Sequence, residues 1–109
     1  MADIIGTPGD DFLPGTNDPD TITGLEGNDE ILGQGGDDII NAGDGDDFAS
    51  GGQGNDTIHM GEGFDQATGG AGDDIISGGD GNDNLFGEVQ GETNLGIGGN
   101  DRLFGGAGD

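Results

Sequence analysis

A glycine-rich hexapeptide ending in aspartate recurs in this chain at multiples of nine residues, and a fixed nine-residue period admits few folds. GLEGND from Gly24, GQGGDD from Gly33, GGQGND from Gly51, GGAGDD from Gly69 and GGDGND from Gly78 are the clearest copies. Written in nines from Gly6, the sequence fills eleven consecutive windows to Phe104, followed by the partial window GGAGD. The sixth place is Asp11, Asp20, Asp29, Asp38, Asp47, Asp56, Asp65, Asp74, Asp83, Glu92 and Asp101. The eighth is Leu13, Ile22, Ile31, Ile40, Ala49, Ile58, Ala67, Ile76, Leu85, Asn94 and Leu103, apolar in every window but one. The fourth is glycine except at Asp18 and Gln90. A low-complexity Gly/Asp tract would not keep an apolar place in phase with an acidic one over eleven windows. Six glycine-rich residues can turn tightly through positive backbone angles, and the three that follow suit a short strand whose middle residue points to one face. The eighth places then share an interior.

That interior is thin. Only 28% of the 109 residues are hydrophobic, and Asp plus Glu number 24 against a single basic residue, Arg102, for a formal net charge of −23. Leu, Ile, Val and Phe together make up about a fifth of the chain, a composition in which burial does not offset the entropy lost on ordering. The bare polypeptide is therefore expected to be disordered, and something besides apolar packing must hold its fold. So acidic a surface repels phosphate and anionic lipid, which argues against nucleic acid and makes cations the expected partners. There is no cysteine for a disulfide scaffold, no run long and apolar enough to span a membrane, and no basic segment followed by an apolar one at the start.

The windows resemble the pattern G-G-x-G-x-D-x-U-x of the RTX (repeats-in-toxin) family, the hemolysin-type calcium-binding nonapeptide repeats. The likeness covers Gly6 to Asp109. It implies an all-β fold, a right-handed parallel β-roll with two nonapeptides per coil, in which successive turns alternate between two edges. Residues 1–5 are then a lead-in and residues 6–109 the roll, with 87–95 degenerate, either a loop or a damaged coil. Windows two apart stack on one edge, so the resemblance places Asp11, Asp29, Asp47, Asp65, Asp83 and Asp101 along one side and Asp20, Asp38, Asp56 and Asp74, with Glu92, along the other. Stacked at the roughly 4.8 Å spacing of neighbouring strands, bare carboxylates would repel one another. A hard divalent cation between turns removes that repulsion, and calcium takes six to eight oxygens from carboxylates and carbonyls.

The ten aspartates are therefore the expected calcium ligands. With every gap filled there would be nine ions, and the formal charge would fall from −23 to −5. Fewer are expected, because three turns depart from the pattern. One carries Asp18 and Pro19, one carries Met60 and Phe64, and the window with Glu92 and Asn94 keeps only Gly87.

Smaller signals have plainer readings. The fifth-place Asp10, Asp37, Asp46 and Asp73, alternating with Asn28, Asn55, Asn82 and Asn100, suit turn caps facing water better than ligands. His59, in an outward ninth place with no cysteine or second histidine, suits a surface residue. No lysine is present for a phosphate-binding P-loop. The run from Asp80 lacks the glycine and glutamate of an EF-hand, and no nucleophile has an arranged partner, so an enzyme is not expected.

The outward seventh and ninth places differ between the two expected sheets. One carries Phe12, Leu32, Phe48, Phe86 and Phe104, a face suited to a neighbouring domain or a second copy; the other is mainly Thr, Ser and His59. The inner lining thins at Ala49 and Ala67, which should leave the middle coils more dependent on metal.

By resemblance, such a module belongs to a bacterial protein exported by type I secretion, unfolded in a calcium-poor cytosol and folded outside the cell. The sequence stops part-way through a repeat at Asp109 and is read as a fragment of a longer secreted protein. The alternative is a self-associating building block of an extracellular surface layer, filament or adhesin.

Overall fold

Seven of the strands have the three residues expected from the period, whereas the four in the middle of the chain run to six and take up the first half of the following turn. The computed structural model describes residues 2–86 and the strand 102–104. Eleven strands follow in order: β1 (Asp3–Ile5), β2 (Phe12–Pro14), β3 (Thr21–Thr23), β4 (Glu30–Leu32), β5 (Ile39–Asp44), β6 (Phe48–Gln53), β7 (Thr57–Glu62), β8 (Gln66–Ala71), β9 (Ile75–Ser77), β10 (Asn84–Phe86) and β11 (Arg102–Phe104). No helix occurs among the described residues. Strands alternate between two parallel sheets, β1-β3-β5-β7-β9-β11 and β2-β4-β6-β8-β10. The chain is thus a β-solenoid of the β-roll kind, each coil taking two windows.

Pairing follows the eighteen-residue spacing of alternate windows. Ile22 pairs with Ile40, Ile40 with Ile58 and Ile58 with Ile76 in one sheet; in the other Leu13 pairs with Ile31, Ile31 with Ala49 and Ala49 with Ala67. These eighth places are the core, the isoleucines being fully buried. Each turn brings its strand back over the previous coil, so apolar area is removed from water at roughly 25 cal/mol per Å² along a seam one residue wide.

Ala49 and Ala67 do not leave the seam as thin as their size suggests. The same two windows replace the first-place glycine with Ala42 and Met60, both fully buried members of the core cluster. First-place side chains point inward: a methyl built on Gly6 would stand 3.2 Å from Leu13 Cδ1. Met60, a departure from the pattern in sequence, therefore returns apolar volume that the eighth-place alanines remove. The flexible thioether suits an irregular gap.

Two further placements add to the expected windows or depart from them. Asp3–Ile5, within the lead-in, forms β1 and pairs with β3, Ile4 opposite Ile22 eighteen residues on. The strand beside β9 is Arg102–Phe104, with Leu103 opposite Ile76, where constant spacing would have set Thr93–Leu95. Phe104 consequently stands in the sheet opposite to Phe12, Leu32, Phe48 and Phe86, and does not extend their face. Glu92, Asn94, Asp101 and the choice between loop and coil for Gly87 to Gly96 lie outside the described residues.

Candidate metal centres

The sixth-place aspartates follow the turns into two columns, and there the chemistry concentrates. Asp11, Asp29, Asp47, Asp65 and Asp83 run along one edge of the roll, and Asp20, Asp38, Asp56 and Asp74 along the other. In each column Oδ1 accepts the backbone N–H of the sixth place one coil earlier. Asp11 N donates to Asp29 Oδ1 at 2.8 Å, Asp20 to Asp38 at 2.8 Å, Asp29 to Asp47 at 2.8 Å and Asp38 to Asp56 at 2.9 Å. The ladder continues from Asp47 to Asp65, Asp56 to Asp74 and Asp65 to Asp83 at 2.8–3.0 Å. Asp20 to Asp74 along both edges are buried, at most 3% exposed.

Only half of each carboxylate is satisfied by this ladder. Oδ2 of Asp29, Asp38, Asp47, Asp56, Asp65, Asp74 and Asp83 is buried without a hydrogen-bond partner. A buried, unpaired carboxylate oxygen is among the costliest groups a protein can hold. Burial is accordingly the main cause that raises Asp29 above the usual carboxylate range and pushes Asp38 and Asp47 up to about 6 and Asp56 and Asp65 up to about 7. Backbone N–H donors to Oδ1 pull the other way, and neighbouring carboxylates such as Asp20 beside Asp38 and Asp74 beside Asp56 push further up.

A second oxygen faces the same space. A methyl group built on first-place Gly33 would lie 2.5 Å from Asp38 Oδ2 and 2.6 Å from Gly51 O of the next coil. On Gly24 it would meet Asp29 Oδ2 at 2.6 Å and Ala42 O, and on Gly51 it would meet Asp56 Oδ2 and, at 2.8 Å, Gly69 O. The absent side chain at these places leaves a corner lined by a carboxylate oxygen and a backbone carbonyl, whereas the windows of Asp47 and Asp65 carry the buried Ala42 and Met60 at the first place. No group of three or more His, Cys, Asp or Glu side chains that could hold a metal converges among the described residues. The donors here are instead one carboxylate per turn together with main-chain carbonyls, a hard all-oxygen set that fits calcium.

Not every turn is alike. In seven turns the second place has a positive φ: Leu25 at 82°, Gln34 at 77°, and Gly43, Gly52, Gly61, Gly70 and Gly79. In the first two turns it is Thr7 and Thr16, which are not in that region. There the N–H of Thr7 donates to Asp11 Oδ2 and that of Thr16 to Asp20 Oδ2, each at 2.6 Å, and both hydroxyls reach the same carboxylates at 2.9–3.1 Å. The backbone N–H of Thr16 is the main cause that holds Asp20 below the usual carboxylate range, outweighing its burial. Thr7 and Thr16 are site residues that the period alone does not single out. Their signal is a β-branched residue where a left-handed backbone is required elsewhere.

The fifth-place side chains make a second ladder in the opposite direction. Asp10 Oδ1 accepts from Asn28 N at 2.7 Å, Asn28 Oδ1 from Asp46 N at 2.9 Å and Asp46 Oδ1 from Phe64 N at 2.9 Å; on the other edge Asp37 accepts from Asn55 and Asn55 from Asp73, both at 2.8 Å. These exposed residues cap turns, but those of the next coil. Beside them runs a groove of about 560 Å³ over β2, β4, β6 and β8, lined by Phe12, Phe48 and Phe64 with Asp10, Glu30 and Asp46 among its polar residues. His59 is exposed on β7.

Two stacked parallel sheets with columns of half-satisfied aspartates at both edges define a metal-binding repeat module. The family model for the RTX calcium-binding nonapeptide repeat (4 copies) matches residues 5–40, 14–49, 32–67, 60–90 and 95–109. The chain belongs to that family. Comparison with the curated proteins and with the solved structures gives no match.

Proposed function

We propose that this chain is a calcium-binding β-roll that folds when calcium binds, as part of a larger secreted bacterial protein. The observation that carries the reading is the set of seven buried Asp Oδ2 atoms without partners. Asp29, Asp47, Asp65 and Asp83 on one edge and Asp38, Asp56 and Asp74 on the other would hold the ions, with first-place carbonyls such as Gly51 O and Gly69 O completing the donor set. Calcium, when bound, supplies the positive charge that makes burial of these carboxylates favourable. Because the ligands are assembled only by the roll, binding free energy becomes folding free energy. Extracellular calcium modules work at roughly 10⁻⁴ to 10⁻³ M, so the chain would stay unfolded in a calcium-poor cytosol and fold after export. Its role is binding rather than catalysis.

Far-ultraviolet circular dichroism during a calcium titration, with magnesium as control, tests the reading. A cooperative change from coil to β at submillimolar to millimolar calcium, absent with magnesium, is expected. A chain equally folded in chelator, or unresponsive to calcium, refutes it. The aromatic groove favours a second role, contact with a neighbouring domain or another copy, because Phe12 and Phe64 are 59% and 65% exposed. Growth of molecular mass with calcium would identify a self-associating building block of a surface layer or filament; a constant monomer mass would exclude it.

A further inference from the structure

We infer that Thr7 and Thr16 decide where calcium binding begins: they close the first turn on each edge themselves, so that the ions start at Asp29 and Asp38. The inference rests on the calcium reading above. Its basis is a strict correspondence among the nine described turns. Wherever the second place has a positive φ, Asp Oδ2 is left buried and unpartnered; wherever it is threonine, the threonine N–H and hydroxyl both satisfy Oδ2.

The switch is conformational as well as chemical. A residue with positive φ cannot easily be β-branched. Threonine keeps the other backbone geometry, in which its own N–H is aimed at the carboxylate four residues on. The Oδ2 lone pairs that elsewhere have no hydrogen-bond donor are then taken up by two. Asp20 is only 2% exposed, yet its Oδ1 accepts from Ala2 N at 2.9 Å and from the Thr16 hydroxyl at 3.1 Å while Oδ2 takes Thr16 N. A cation competing for that carboxylate would have to displace these bonds. The same protein thus carries two ways of satisfying one buried aspartate, by hydroxyl and amide in the outermost coil and by metal further in.

Calcium stoichiometry of Thr7→Gly/Thr16→Gly against the unaltered chain tests this, measured by equilibrium dialysis at saturating calcium. Glycine restores the second place found in the inner turns and permits positive φ. The variant is expected to bind two more ions per chain, and each single variant one more. Thr7→Val/Thr16→Val, which loses the hydroxyls but keeps the β-branch, is expected to gain none. Equal stoichiometry of the glycine variant and the unaltered chain overturns the inference while leaving the calcium reading intact. A glycine variant that folds in neither calcium nor chelator also overturns it, since an added ion is to replace the lost donors. Failure of the unaltered chain to bind calcium at all sinks both.

Discussion

Protons should substitute for calcium in this fold. In the metal-free roll Asp56 and Asp65 are raised from an ordinary 3.8 to about 7, and Asp38 and Asp47 to about 6, chiefly by burial. Each such carboxyl holds its proton more tightly in the roll than in the unfolded chain. Its stabilising effect is therefore complete below about pH 4 and is lost as the pH rises through 6 and 7. At about 1.4 kcal/mol per tenfold change in proton affinity, Asp56 alone would set about 4 kcal/mol against the ionised, metal-free roll, and about 2 kcal/mol after allowance for water at the turn edge. Four such groups together are comparable to the whole stability of a small domain, about 5–15 kcal/mol. In chelator, acidification from pH 8 to pH 4.5 should thus raise the β signal in circular dichroism, with most of the change between pH 7 and 5. Sedimentation at low protein concentration must accompany it, because the sequence pI is about 4.1. A calcium-responsive chain that stays fully coil across that range would refute the claim that ionised Oδ2 atoms are what keeps the metal-free roll unfolded.

Three further outcomes follow from the same geometry. Gly51→Ala places a methyl against Asp56 Oδ2 and Gly69 O. Because Ala42 and Met60 already stand at this place in the windows of Asp47 and Asp65, the number of bound ions should hold while the calcium midpoint rises several-fold, and an unchanged midpoint in dialysis would show that the corner is not used. Ile58→Ala empties a fully buried site between Ile40 and Ile76. A loss of about 2–5 kcal/mol is expected in denaturant titration at saturating calcium, and under about 1 kcal/mol would mean that the isoleucine seam does not bear the fold. Leu25→Gly relieves a non-glycine residue at φ 82°, so stability should rise by about 1 kcal/mol; destabilisation would show that the half-exposed leucine is making contacts worth more than its strain.

Much of this architecture is legible in the residues because each place in the window meets a single physical demand. Ile22, Ile31 and Ile40 recur at nine and so share an interior, while the coil of two windows that stacks Ile22 on Ile40 is implied by the family resemblance. Asp29 through Asp83 are legible for the same reason. What escaped the period depends on the direction of a side chain. Met60 reads as a defect until the first place is known to point inward, and Ala67 reads as a void until Met60 is seen to compensate. Thr7 and Thr16 look like tolerated substitutions because their meaning lies in φ, which sequence spacing does not express. Ile4 had a visible signal, lying eighteen residues before Ile22, but it stands outside the eleven windows counted from Gly6. The place of Arg102–Phe104 beside β9 breaks the count in nines, so Phe104 reads onto the wrong sheet.

The two opposed ladders at the turns also bear on how such a chain can change length. A sixth-place carboxylate reaches back one coil and a fifth-place side chain reaches forward one, so an interior coil offers its neighbours the same bonds it takes from them. Loss or duplication of eighteen residues inside the roll therefore leaves every surviving coil with a full set of partners. Loss of nine would instead exchange the two sheets for everything downstream, bringing Thr and Phe faces into mismatched register. Parity, rather than total number of repeats, is what keeps the two faces apart, and the odd step of windows between β9 and β11 shows its effect in placing Phe104 on the other sheet.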